Sequence, residues 1–200
     1  YLDAYWIDRT EVTNAQFATC ATAAGRWFLL TSASGGDAAN PVGDVTWADA
    51  DAYCRWAGRR LPTEAQWEKT ARGTDGRRYP WGNEAPTASG DGYPFDSGTP
   101  AGQRCNCGPD AYNATPVGQY PAGASPYGAL DMAGNLNEWV SDWFGPYAEA
   151  PQRNPSGPET GSYRVHRGGD FLDTWDWVRS THREWLEPGK RPLLVGVRCA

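Results

Sequence analysis

The sequence predicts one loop-rich domain holding a few short helices and strands, and three observations lead there. Its 200 residues, 40% of them hydrophobic, suit a single core. Eleven Trp and ten Tyr stand among 24 Gly and 16 Pro, so large rings packed between turns replace layers of aliphatic side chains. Capping signals mark only three helices, and the remainder alternates turn residues with short apolar runs.

Residues 1–12, YLDAYWIDRTEV, alternate in polarity and read as a strand entering the core. Thr13 and Gln16 form a capping box that opens the first helix, Val12 and Phe17 can staple it, and Gly25 stands where a helix ends. Thr46 starts a second helix that ends at Gly58. Thr63 and Gln66 open a third before Gly73. Residues 73–128 read as ordered loops with short strands, 129–144 as an irregular turn leading into an aromatic strand, and 163–199 as strands around YRVHRGGDF and LLVGVRC.

A net charge of −6 argues against nucleic acid as a partner, because phosphate binding needs clustered Lys and Arg. The only lysines are Lys69 and Lys190, so the positive charge is nearly all arginine, which suits fixed internal ion pairs. No run of about 18 apolar residues occurs, so membrane insertion is not expected, and the first residues do not resemble a cleavable leader. The five cysteines lack zinc spacing, and disulfides are the expected use. Acidic charge and disulfide potential point to an extracytoplasmic site.

Longer motifs are more specific. They are IDRTEVTNAQF at 7–17, NPVGDVTWADADAYCRWAGRRLPTEAQWEKTARG at 40–73, YPWGN at 79–83, TPVGQYPAGASPYGALDMAGNLNEWVSDWF at 115–144, RGGDF at 167–171 and VGVRCA at 195–200. In this order they resemble the formylglycine-generating enzyme, or sulfatase-modifying-factor, family. The resemblance covers nearly the whole chain and implies a single α+β domain over residues 1–200, low in regular structure and related to C-type lectins.

The family's oxidase binds copper(I) through two cysteines shortly after a Gly-Gly-Ser motif, and thiolates are the soft ligands that ion requires. Here the corresponding stretch 168–183, GGDFLDTWDWVRSTHR, contains no cysteine. Asp170 replaces the serine, and Asn137 stands for a motif tryptophan. No copper is therefore expected, and the resemblance implies a non-oxidase member of the family, with no catalytic residue assigned. An enzyme of another chemistry, with Asp170, His182 and Glu184 as candidate iron ligands, and a structural part of a surface or secretion complex are the alternatives.

The resemblance further implies a disulfide between Cys54 and Cys199, with Ala71 and Ser180 at the positions of a second one. Cys20 is left to pair with Cys105 or Cys107, with nothing to choose between them. It implies calcium held by Asp131 and Glu138 with the carbonyls of Gly134 and Leu136, oxygen ligands of the hard kind that ion prefers. A carboxylate pair accepting backbone N–H groups in a tight turn is the competing reading. A second, weaker calcium site falls on Asn106 and Asp110, near Cys107 and Tyr112.

The ligand face of this fold is expected at residues 170–177 and 184–194. Asp170, Phe171, Asp173, Trp175, Trp177, Glu184 and Trp185 mix aromatic anchors with acids there, as recognition surfaces do, and a protein, peptide or glycan is the expected partner. Core packing of the aromatics is the competing reading. Arg179 and Arg183 are expected in structural ion pairs, and His166 and His182 as satisfied polar residues.

Overall fold

The helices form where the capping residues stand. The computed structural model describes residues 1–23, 37–86, 103–108 and 111–200. Helix α1 covers Asn14–Ala23, and the Thr13 N–H donates to the Gln16 side chain while the Gln16 N–H donates to the Thr13 hydroxyl. Gly25, expected to end it, lies outside the described residues. Helix α2, Trp47–Trp56, is capped by Thr46, whose reciprocal partner is Asp49. Helix α3, Glu64–Arg72, carries the Thr63 and Gln66 box and ends at Gly73. Each box satisfies N–H groups that a helix start would otherwise leave open.

Among the described residues, four strands make one sheet in the order β3, β2, β1, β4. They are β1 at Asn137–Trp143, β2 at Arg164–Arg167, β3 at Arg183–Leu186 and β4 at Val195–Gly196. The β1–β2 and β2–β3 pairs are antiparallel, and β4 runs parallel to β1. The predicted strand at residues 1–12 is not one. It is an extended segment fastened by separate bonds, the N–H groups of Asp8 and Val12 donating to the carbonyls of Cys199 and Val197.

Register divides the sheet into two faces, because residues directly opposite each other point to the same side. Trp139, His166 and Glu184 share one face and Glu138, Arg167 and Arg183 the other. Trp139 packs into a core with Phe17 of α1, Tyr53 and Cys54 of α2, and Val195 and Val197. On the reverse, Val140 and Val165 pack with Trp67 and Ala71 of α3.

Cys54 is bonded to Cys199, which ties α2 to the last residues across 145 positions of sequence. Cys105 and Cys107 are bonded to each other, so neither is the partner of Cys20, which is buried on α1. Ala71 and Ser180 are both fully buried.

Candidate functional site

Two carboxylate-rich regions lie in the described structure, and each arises from a turn that the glycines permit. The first surrounds Arg198, fully buried beside β1. Its guanidinium donates to both oxygens of Glu138 at 2.6 to 3.0 Å and to the Leu130 and Asp8 carbonyls. Trp67 Nε1 also donates to Glu138 Oε2 at 2.6 Å. Glu11 accepts from the Asn135 amide and the Leu136 N–H, and Asp131 accepts from the Gly118 N–H. Burial, then the charges of Asp131 and Glu138, hold the Glu11 carboxyl well above the usual range, and burial likewise raises Asp131.

This region contains the calcium ligands that the resemblance implies, and the arrangement does not fit the ion. Four contacts from Arg198 and Trp67 take up the roughly four acceptor positions of the Glu138 carboxylate. Gly134 is packed against the Asn106 carbonyl, which accepts the Asn135 N–H. A guanidinium already provides the positive charge, and the competing reading, carboxylates held by groups of the chain, describes the residues better. Asn106 of the weaker site donates to the Asn113 carbonyl and the Asn135 side chain, and Asp110 lies outside the described residues.

The second region lies where the ligand face was expected. Gly168 and Gly169 both have positive φ, and a Cβ on Gly169 would come within 2.9 Å of Val178 Cγ1, so only glycine lets the turn close against Val178. Asn137 fastens this turn, accepting the Gly169 N–H at 3.1 Å and donating to Asp170 Oδ2 at 3.3 Å. The two departures from the family motif are thus bonded to each other. Asp170 Oδ1 accepts the Leu172 N–H, and the Asp170 N–H donates to Asp173 Oδ2 at 2.9 Å.

Glu184 joins them from β3. Its Oε2 lies 3.8 Å from Nδ1 of His166, the residue opposite it on β2. Burial, then Asp173 and Asp170, push the Glu184 carboxyl up to about 7. Burial, then Asp173, push Asp170 up to about 6, and burial raises Asp173. Burial and then His182 press His166 down to about 4, so it is a neutral imidazole at pH 7. Its Nδ1 makes no hydrogen bond to a described residue, contrary to the expectation of a satisfied residue.

The aromatic residues do not join this cluster as a group. Phe171 is buried with Ala114 and Leu136 and belongs to the core. Trp185 stacks on Phe144 at 4.1 Å on the other sheet face, half exposed beside Arg183. That face also holds a groove of about 790 Å3 in which Glu64 pairs with Arg183 and Glu68 with Arg72. Trp177, 46% exposed, sets its ring against the edge of His182 at 4.7 Å, and Trp175 is partly buried. Arg183 is in an ion pair as expected, and Arg179 pairs with Asp176 at 3.4 Å. Among the described residues, no group of three or more His, Cys, Asp or Glu is arranged to hold a metal. The sequence did not link His166 to the ligand face because Glu184 is 18 positions away, and only strand register joins them.

The family model of the sulfatase-modifying factor enzyme 1-like domain matches residues 1–200. The chain belongs to this family. The formylglycine-generating enzyme of Streptomyces coelicolor is 43% identical over 180 residues, covering 80% of this chain and 52% of that protein. Hercynine oxygenase of Mycolicibacterium thermoresistibile is 40% identical over 172 residues, covering 80% and 35%. The chain therefore spans about a third to a half of these curated relatives. Among solved structures, PvdO from Pseudomonas aeruginosa superposes with a TM-score of 0.76 at 24% identity over 96% of this chain and 78% of that one. The variable protein 1 of Treponema denticola does so with 0.73 at 22% over 99% and 84%. Both likenesses show the α+β, C-type-lectin-like fold of the sulfatase-modifying-factor domains.

Proposed function

We propose that this sulfatase-modifying-factor domain is a non-oxidase binding module whose ligand face is the turn after Gly168–Gly169 together with strand β3. One observation carries the reading: where the resemblance places a thiolate pair, this chain has Asp170 and Asp173, whose charges act on Glu184, and Glu184 lies 3.8 Å from a neutral His166. Carboxylates and an imidazole are not the soft donors that hold copper(I). Cys54, Cys199, Cys105 and Cys107 are in disulfides, and Cys20 is buried on α1 in the core with Phe17 and Tyr53. The partner is a protein, peptide or glycan. The disulfides support an oxidising, extracytoplasmic location. The rigidity that calcium was expected to supply is assigned to Arg198 and its carboxylates.

The identity to hercynine oxygenase favours a second reading, a metal-dependent oxidoreductase of another chemistry, with the rest of its site outside the 35% of that relative which this chain spans. One experiment addresses both. The purified protein is loaded anaerobically with copper(I) or iron(II), dialysed, analysed for metal, and given a cysteine-containing peptide and oxygen. The binding-module reading expects no stoichiometric metal and no new aldehyde or sulfoxide by mass spectrometry. One equivalent of copper with aldehyde formation would overturn it, and one equivalent of iron with oxygen uptake would favour the second reading.

A further inference from the structure

The acids of the ligand face are short of donors. Asp170 receives two hydrogen bonds and Asp173 one from the chain, whereas none from a described residue reaches Glu184. No arginine or lysine among the described residues pairs with any of the three. The basic side chain found beside Glu184 is the neutral His166, at 3.8 Å. Elsewhere in the molecule the buried acids Glu64, Glu138 and Asp49 each have an arginine. A partly open cluster of acids without a counter-charge is electrostatically costly, and the cost disappears when a cation enters.

A second observation points into the same place. The His166 side chain is only 9% exposed, its Nδ1 has no hydrogen-bond partner among the described residues, and that atom faces the Glu184 carboxylate at 3.8 Å. Buried polar atoms are almost always paired, so an unpaired one directed at a half-open acid marks a place where a ligand or its water completes the bonding. Trp139 meets the His166 ring in a T-shaped contact at 5.5 Å, which holds the imidazole in this direction.

We infer that Asp170, Asp173, Glu184 and His166 form a subsite for a protonated primary amine of the lysine side-chain type. This inference rests on the reading of this face as a ligand surface. The carboxyls come from separate places, two from a turn and one from a strand, and a compact ammonium with three freely placed donors suits them. A guanidinium presents a planar fork matched to one carboxylate, which is the mode used by Arg198 inside the protein. A divalent metal needs its oxygens already converged, and the described acids are not so arranged.

The probe is Nα-acetyl-lysine methylamide, titrated into the protein while backbone amide shifts are followed by NMR. The control is the norleucine analogue, of similar shape and no charge. Saturable shifts at Gly169, Leu172 and Glu184 are expected with the lysine compound and none with the norleucine one. Glu184→Gln and Asp173→Asn should each weaken binding about tenfold or more. Two variants on different elements guard against a single local misfolding, and dispersed spectra verify each. The absence of saturable shifts, equal binding by the norleucine compound, or unchanged affinity in both folded variants would overturn the inference. The same shifts produced by calcium chloride and not by the amine would overturn it in favour of a metal site. Failure here leaves the copper and iron results standing, so the two readings fail separately.

Discussion

The carboxylates around Arg198 and those behind Gly169 are equally acidic in composition, yet they differ in where their hydrogen bonds come from. Glu138 is surrounded by donors from Arg198 and Trp67, and Glu11 is held by Asn135 and Leu136. Behind Gly169 the donors decrease from Asp170 to Asp173, and none among the described residues reaches Glu184. A buried acid whose partners belong to the chain holds the fold together. One whose partners are missing is a place prepared for something else.

The comparison can be broken most severely at Arg198. Arg198→Met leaves the fully buried Glu138 without its partner and should cost about 3–5 kcal/mol in urea denaturation. The double change with Glu138→Leu should cost clearly less, because no lone charge remains. If the single and double variants are equally unstable, the pair is not the anchor described. Second in size is the Cys54–Cys199 bond, which closes a loop of 145 positions. Its removal by Cys54→Ser with Cys199→Ser should cost about 2–5 kcal/mol in the same measurement.

Glu184→Gln should act in the opposite direction. A carboxyl whose folded pKa is raised from 4.5 to about 7 contributes stability that is fully present below pH 4.5 and lost as pH rises through 7. Wild type and variant should therefore match near pH 4.5, and the variant should be the more stable by about 1–2 kcal/mol at pH 8, after allowance for solvent at the open side. His166 has the reverse slope, since its lowered value favours folding above pH 6.5 and that stability is lost as pH falls through 4. Subtracting the two melting curves cancels most of its effect. The smallest change is expected from Trp177→Ala, about 1 kcal/mol or less, because the ring is nearly half exposed. A loss above 3 kcal/mol would make it a core residue.

What could be read in the sequence follows the range of the interaction. The three helices were legible because Thr13 with Gln16 and Thr63 with Gln66 act across three positions, and Thr46 starts α2 in the same way. Strands β1, β2 and β4 were legible as short apolar runs, whereas β3 fell in a stretch read as a ligand-face loop, and the extended entry at residues 1–12 imitated a strand, since alternation does not say whether a partner strand exists. Long motifs, through the family resemblance, grouped Asp170, Asp173 and Glu184 with the aromatic residues of the same two segments. They did not separate Phe171, which fills the core, or Trp185, which the alternation of β3 sends to the opposite side. The Arg198–Glu138 pair spans 60 positions and was invisible, so Glu138 looked available to calcium.

The most direct test is a measurement of the carboxyl pKa values by carbon-detected NMR across pH 3 to 9 on the protein alone. The account predicts that Glu184 titrates near 7 and Asp170 near 6, far from any surface glutamate. It also predicts that both fall when the lysine compound is added, because a bound cation favours the ionised form. Titration of Glu184 at about 4.5, unmoved by the amine, would contradict it: the acids would then be solvated surface groups and not a site short of its counter-charge.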